Sequence, residues 1–207
     1  MSNKLIESIE KRRTQYALGS NLPMSADETT TLIQAAIRLA PSSFNSQSSR
    51  AVILYGEESR EFWNLVEAAL RKIVPAEAFA ASKAKIDGFA AGAGTVLFYE
   101  DQDVVKGLQE KFAAYADNFP IWSEQASGMA QFAVWTALAN AEVGASLQHY
   151  NPLVDAEAAA RWNIPASWKL RAQMPFGSNE KPFGDKAFMD DTQRFKVFGT
   201  ATLAKAA

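Results

Sequence analysis

The sequence predicts an α+β or α/β layered domain, with one β-sheet and helices on both of its faces. Short apolar runs at residues 51–55 and 95–99 are typical of buried strands. Longer segments with apolar side chains at helical spacing lie between and around these runs, and strands mixed with helices pack in layers. With 207 residues, 48% of them hydrophobic, the chain suffices for one domain with a substantial core.

The first helix is predicted at residues 3–13, where apolar side chains repeat on one face. It ends in Arg12 and Arg13, and cations stabilise the negative end of a helix dipole. A second helix is predicted to begin after Ser25, because Ser25 and Glu28 have the spacing of a capping box.

Pro41 ends this second helix, and a loop of small polar residues at 41–49 leads into the strand at 51–55. Two further helices are predicted before the strand at 95–99. One is the amphipathic segment 59–74, and the other is the alanine-rich segment 76–89.

After the second strand, residues 101–116 predict a helix with an aromatic end and residues 119–122 a short apolar loop. The longest helical pattern follows at residues 123–141. Because this pattern is apolar on most sides, we expect a central buried helix.

The last part of the chain is predicted to combine short strands with one helix. Strand character appears at residues 144–149, 169–175 and 194–198, and helical character at 155–162. Neither a repeat nor a linker divides the chain. We therefore expect one domain at residues 1–199, followed by an alanine-rich tail at 200–207.

The composition excludes several chemistries. The chain has no cysteine, which rules out a thiolate nucleophile, a disulfide and cysteine-ligated metals, and its single histidine rules out a multi-histidine metal site. Redox chemistry would therefore need a borrowed cofactor. A pair of acidic residues, Asp190 and Asp191, could ligate Mg²⁺, but a lone acidic pair is more often surface, so no metal site is predicted.

The charge and hydropathy patterns limit the partners. A net charge of −2, from 21 Lys and Arg against 23 Asp and Glu, gives no reason to expect nucleic acid or an acidic membrane. There is no apolar run of about 18 residues and no apolar signal core near the N-terminus, so we expect a cytoplasmic protein without a membrane span.

Two segments could bind an anion. Arg12 and Arg13, followed by the hydroxyl of Thr14, could bind a phosphate, although for this segment alone the cations of a helix end are the favoured interpretation. Lys181 and Lys186 lie in a polar loop that could be merely solvated. The glycines at 88–94 precede a strand and therefore fail the context of a nucleotide-binding loop.

Other segments could contact a heterocycle or a flat ligand. The loop at residues 42–47 is dense in short hydrogen-bonding side chains, and a solvated loop is its alternative. His149 could donate beside a ligand, although a lone histidine is usually structural. Trp122 lies in the predicted apolar loop and is a pocket candidate, while Trp135 is expected in the core.

In their order along the chain, these segments resemble the FMN-dependent nitroreductase family, and most closely its short fatty-acid-repression-mutant-type subgroup. The resemblance covers nearly the whole chain. It rests on five segments: residues 12–16 (RRTQY), 40–47 (APSSFNSQ), 147–152 (LQHYNP), 174–177 (MPFG) and 181–186 (KPFGDK).

The resemblance implies an α+β sandwich with a mainly antiparallel sheet flanked by helices, a long central helix, and a homodimer with FMN at the interface. The residues that it implies for FMN binding are Arg12, Arg13, Thr14, Ser42, Ser43, Asn45, Gln47, Gln148, His149, Tyr150 and Lys186. Phe44, Phe119 and Trp122 are the candidate substrate pocket, and no side chain is assigned a catalytic role.

The segment at 148–150 departs from the larger nitroreductases, which have an acidic residue and a glycine where this chain has His149 and Tyr150. Phe188 also replaces a second basic residue expected after Lys186. The function implied is electron transfer from NADH or NADPH to nitroaromatic, quinone or similar flat acceptors by a ping-pong mechanism. A flavin-binding regulatory or stress-response protein with little turnover and a cofactor-free α/β binding protein are the alternatives.

Overall fold

The computed structural model describes residues 3–199 of the chain. This range contains five strands and eight α-helices. The strands are β1 (Leu18–Gly19), β2 (Ser49–Tyr55), β3 (Gly94–Asp101), β4 (Gly144–Ala145) and β5 (Trp168–Asn179). The helices are α1 (Lys4–Lys11), α2 (Ala26–Leu39), α3 (Gly56–Arg71), α4 (Phe79–Ala90), α5 (Gln102–Lys111), α6 (Phe119–Asn140), α7 (Asp155–Arg161) and α8 (Asp191–Arg194). The predicted alanine-rich tail at 200–207 lies outside the described residues.

The sheet is antiparallel, with the order β1-β5-β3-β2, and β4 pairs with β5. Strand β3 lies at its centre and is buried along nearly its whole length. The strands predicted at 51–55, 95–99 and 169–175 are therefore confirmed, the last as part of a longer strand. The predicted α+β class with a mainly antiparallel sheet is also confirmed.

Helices cover both faces of the sheet because successive side chains of β3 point to opposite sides. Val96 enters a core with α2 and α6 that includes Ile33 and Val134. Leu97 enters a second core with α3 and α4 that includes Trp63.

The central helix starts earlier than the sequence predicted. The predicted loop at 119–122 is wrong, because these residues form the first turn of α6. Pro120 is compatible with this first turn, where a backbone N–H has no partner within the helix. The helix is also less enclosed than expected, since Met129 and Phe132 are exposed in the isolated chain.

The strand predicted at 194–198 is wrong. Residues 191–194 form the short helix α8, which Asp190 caps by accepting hydrogen bonds from the backbone N–H and the hydroxyl of Thr192. Residues 195–199 are exposed and follow no strand edge. Their alternating apolar pattern favours a strand only where a partner strand is available.

The predicted helix at 101–116 divides into α5 and a 3₁₀ helix at Ala113–Asn118. No helix within residues 3–199 has the combined length and hydropathy of a membrane span.

Candidate functional site

Four predicted cofactor-binding residues line one cavity of about 350 Å³: Arg12, Arg13, Thr14 and Lys186. Residues 12–14 reach it because the chain leaves α1 and runs beside β4. Thr14 forms a parallel bridge with Ala145, and the backbone N–H of Gln15 donates to the Ala145 carbonyl over 2.9 Å.

The segment that carries Lys186 is held against the N-terminal segment by three hydrogen bonds. The Gln15 side-chain amide donates to the Lys181 carbonyl over 2.7 Å, and the Glu180 N–H donates to the Ala17 carbonyl over 3.0 Å. Arg13 Nη2 donates to the Gly184 carbonyl over 2.5 Å. Residues about 170 positions apart along the chain therefore share one cavity.

The cavity has an excess of positive charge. Burial, and to a lesser degree the neighbouring Arg13, lowers the pKa of Arg12. The Arg12 guanidinium lies 4.4 Å from the centre of the Trp135 ring. Asp185 also lines the cavity, but within residues 3–199 no salt bridge involves Arg12, Arg13 or Lys186. Such a set of donors fits a dianionic phosphate.

A second group is the serine-rich loop at residues 42–47, which follows α2 and contains a 3₁₀ helix at Ser43–Asn45. Ser42 closes the loop on itself, because its hydroxyl accepts from the Gln47 N–H over 3.0 Å. Arg50 Nη1 donates to the Gln47 carbonyl over 2.6 Å. Ser42, Gln47 and Arg50 line a cavity of about 190 Å³.

The predicted substrate-pocket residues Phe44, Phe119 and Trp122 lie together in an aromatic cluster. The Phe44 ring centre is 5.3 Å from that of Phe119 and 6.0 Å from that of Trp122. Phe112 and Tyr115 complete the cluster at 4.9 and 6.1 Å from Phe44. They were not predicted as site residues, although the aromatic end of the predicted helix at 101–116 was a signal for them. Phe44 is half exposed, so the cluster presents an aromatic surface.

The segment at 148–150 is fixed to β5 by Gln173, which is fully buried. The backbones of Gln148 and Gln173 exchange two hydrogen bonds of 2.7 and 2.9 Å, and the Gln173 side-chain oxygen accepts from the Tyr150 N–H over 2.7 Å. His149 between them is exposed, and its imidazole makes no hydrogen bond to the described part of the chain. No sequence motif marks Gln173.

Burial raises the pKa of the half-buried Tyr150, whose ring packs edge-on against Trp63. The phenol therefore stays neutral at physiological pH and remains a hydrogen-bond donor.

Within residues 3–199 of one chain, the groups do not form one enclosed pocket. The cavity around Arg12 and the cavity beside the serine-rich loop have no lining residue in common. The residues of the aromatic cluster line neither cavity. The part that each predicted residue plays in ligand binding stays a prediction.

Residues 9–178 match the family described as "Nitroreductase family". The chain is 36% identical over 186 residues to HBN1 of Saccharomyces cerevisiae, described as a nitroreductase, covering 89% of this chain and 92% of HBN1. It is 31% identical over 189 residues to the nitroreductase FRM2, the fatty acid repression mutant protein, of the same yeast, covering 90% and 93%.

Solved structures agree with this result. The nitroreductase CinD from Lactococcus lactis, in complex with chloramphenicol, is 51% identical and superposes with a TM-score of 0.87, covering 94% of this chain and 100% of CinD. CinD has also been solved with 4-nitrophenol. A nitroreductase with bound FMN from Desulfitobacterium hafniense is 15% identical, with a TM-score of 0.71 and coverage of 96% and 100%, and shares the fold.

Proposed function

The chain belongs to the nitroreductase family of oxidoreductases, and on this premise we propose that it is an FMN-dependent enzyme. It would take electrons from NADH or NADPH and pass them to nitroaromatic, quinone or similar flat acceptors. The observation that carries the proposal is the cavity that Arg12, Arg13, Thr14 and Lys186 line together. Its cationic side chains outnumber the carboxylate of Asp185, which also lines it.

These four residues would hold the phosphate of FMN. The phosphate carries close to two negative charges, and burying it requires paired cations and hydrogen bonds. The Thr14 hydroxyl would add a neutral donor beside the guanidiniums. When bound, FMN supplies the reversible two-electron couple that the side chains of this cysteine-free chain lack.

The other predicted residues would orient the cofactor and its reaction partners. Gln148, His149 and Tyr150 would line the ring system, and the loop at 42–47 would donate hydrogen bonds to its polar edge from the partner subunit. The aromatic cluster around Phe44 would exclude water and stack on a flat acceptor. If donor and acceptor occupy this place in turn, the kinetics are ping-pong.

The likeness to CinD supports the acceptor class. That protein is 51–52% identical to this chain and has been solved with chloramphenicol and with 4-nitrophenol, both of which are nitroaromatic compounds. We therefore propose 4-nitrophenol-type molecules as the first acceptors to assay.

We further propose a homodimer. An open apolar groove of about 500 Å³ lies between α1, α2 and α6, with Leu5, Leu39, Met129 and Phe132 exposed along it. An exposed apolar patch of this kind marks an interaction surface. A second copy of the chain would cover it and would bring a partner loop to each cationic cavity.

The purified protein tests the proposal directly. We expect flavin absorbance bands, bleaching of these bands on anaerobic titration with NADH or NADPH, and steady-state oxidation of the nicotinamide with 4-nitrophenol-type or quinone acceptors. A colourless protein that takes up no FMN on soaking would refute the cofactor assignment. Flavin that neither nicotinamide reduces would instead favour a regulatory flavin-binding protein.

A further inference from the structure

A buried carboxylate lies beneath the serine-rich loop. Glu100 is the penultimate residue of β3 and is fully buried. Its carboxylate accepts hydrogen bonds from three serine hydroxyls: Ser48 over 2.6 Å, Ser49 over 2.5 Å and Ser123 over 2.8 Å. Within the described residues it forms no salt bridge, since the nearby Arg50 pairs with Asp101 instead.

Burying a carboxylate carries a desolvation cost, and three hydroxyl donors offset it without an opposite charge. A fully apolar contact at this point would avoid the cost. The position therefore uses a residue that can accept several directed hydrogen bonds at once.

The three serines belong to two different parts of the candidate site. Ser48 and Ser49 directly follow the loop at 42–47, whereas Ser123 follows Trp122 on α6. The loop and α6 meet across a cavity of only about 10 Å³, which leaves room for one water at most. Glu100 thus links the loop to α6, the helix that contributes Phe119 and Trp122 to the aromatic cluster.

The loop needs such support because its backbone is strained. Phe44, Asn45 and Gln47 have φ angles of 56°, 49° and 49°, in the left-handed region that disfavours residues with a Cβ. Conformations of this kind persist only where the surroundings hold them. Ser42 holds the loop internally, and Glu100 fixes its exit to the sheet.

We propose that Glu100 is a positioning residue which sets the serine-rich loop and Trp122 relative to each other. In this way Glu100 determines how well the flat acceptor binds. This proposal rests on the function proposed above. Glu100 acts through Ser48, Ser49 and Ser123 and does not contact the cationic cavity around Arg12.

Two substitutions of Glu100 test the proposal. In Glu100→Gln the amide oxygen can accept from Ser48 and Ser123 while the amide nitrogen donates to Ser49, so we expect a KM for 4-nitrophenol within about twofold of the parent. In Glu100→Ala all three hydroxyls lose their partner. We expect the KM for 4-nitrophenol to rise at least tenfold. The Kd for FMN should rise only severalfold, because the loop shifts while the cavity around Arg12 stays intact.

A matched control lies on the same strand. Thr95 is also fully buried, and its hydroxyl bonds to Ser59 and Trp63 at the opposite end of β3. Thr95→Val should lower the Tm without changing the KM for the acceptor. If Glu100→Ala lowers the Tm and leaves the KM unchanged, as Thr95→Val does, Glu100 is merely structural and the proposal is overturned.

Two further measurements keep the test decisive. If Glu100→Ala does not fold, Ser123→Ala removes one hydrogen bond and should raise the acceptor KM severalfold. An unchanged KM in this folded variant would overturn the proposal.

Amide hydrogen exchange of residues 42–49 measures the stability of the loop and does not depend on enzymatic turnover. Exchange should rise in Glu100→Ala, and not in Glu100→Gln, even if the parent protein proves to have no reductase activity. Equal protection in both variants would reject the positioning role independently of the proposed function.

Discussion

At the scale of single residues, Arg12 separates a phosphate site from an ordinary helix end. The guanidinium lies beside Arg13 and against Trp135, and burial lowers its pKa. Both the burial and the neighbouring positive charge oppose its ionised form. A bound phosphate would compensate this cost, whereas a helix-end cation in open water would not incur it.

We predict that Arg12→Ala weakens FMN binding by about 2–3 kcal/mol, the scale of a charge-assisted hydrogen bond to a buried anion. The Kd should rise by roughly 30- to 150-fold, as measured by fluorescence titration of the apoprotein. Arg60→Ala is the matched control, because Arg60 is exposed and, in the part of the chain that the structure describes, forms its ion pair with Glu57 alone. Equal Kd values for Arg12→Ala and Arg60→Ala would show that Arg12 is only a helix-end cation.

A second residue-scale feature is Asp155, whose Oδ1 is buried without a hydrogen bond among the described residues. Burial raises the pKa of this carboxyl, against the opposing effect of Arg171 and Lys169. The folded state therefore holds the proton more tightly than the unfolded state does. This contribution stabilises the fold at acidic pH and is lost as the pH rises through the raised pKa.

We therefore predict that Asp155→Asn is more stable than the parent at pH 7. The difference should shrink as the pH falls towards 4, because a growing fraction of the parent carboxyl takes up a proton. Urea unfolding at both pH values measures it. A difference that is the same at pH 4 and pH 7 would show that ionisation of Asp155 does not affect stability.

Single residues also show how far the sequence could be interpreted. Arg12, Arg13, Thr14 and Lys186 were predicted as a group through the resemblance of their segments to a family, and the structure brings them to one cavity. Glu100 and Gln173 were not predictable. Their roles depend on which backbone and hydroxyl groups the sheet register places beside them, and a lone Glu or Gln in a strand gives no sign of that.

At the scale of elements, the start of α2 is the clearest agreement between sequence and structure. Ser25 and Glu28 form the full capping box: the Ser25 hydroxyl accepts from the Glu28 N–H, and the Glu28 carboxylate accepts from the Ser25 N–H. The Ser25 hydroxyl also donates to the Glu28 carboxylate over 2.8 Å. The hydrogen bonds that this carboxylate accepts lower the pKa of Glu28, the one from the Ser25 backbone N–H most and the one from its hydroxyl next.

We predict that Ser25→Ala lowers the free energy of unfolding by about 1 kcal/mol, because the helix loses its N-cap. Thr31→Ala on the same helix is the control. The Thr31 hydroxyl donates to the Asp27 carbonyl of the preceding turn and has no other partner among the described residues, so the change should stay within about 0.5 kcal/mol. Chemical denaturation of both variants checks this, and equal losses would contradict a capping role for Ser25.

Elements that depend on their neighbours were predicted less well. The start of α6 at Phe119 was mistaken for a loop, since Pro120 is as common in turns as in a first helical turn. The pattern at 194–198 suggested a strand, but in the described part of the chain no sheet edge lies beside it. In both cases, tertiary structure decides between local patterns that the sequence leaves ambiguous.

At the scale of the whole molecule, the longest helix, α6, is apolar on most sides, yet one of its apolar faces is exposed in the isolated chain. The proposed dimer would bury this face. We predict that Phe132→Glu dissociates the proposed dimer at micromolar concentrations, because the dimer would bury an unpaired charge. The variant should also bind FMN more weakly, since the loop of the partner subunit is lost.

Sedimentation analysis measures the mass of the parent and the variants. Ile73→Glu is the control, because Ile73 is similarly exposed but lies beyond the end of α3, away from the groove. It should leave the mass of the parent unchanged. A parent protein that sediments as a monomer at the same concentrations would disprove the proposed dimer.

The position of His149 has a practical consequence for spectroscopy. It is the sole imidazole of the chain, it is exposed, and its neighbours on both sides are fixed to Gln173. Its two carbon-bound ring protons therefore give one pair of histidine signals in a proton NMR spectrum, without isotope labelling. A molecule that binds at the edge formed by residues 148–150 would shift that pair, so the proposed contact of the cofactor with this edge can be tested in the unmodified protein.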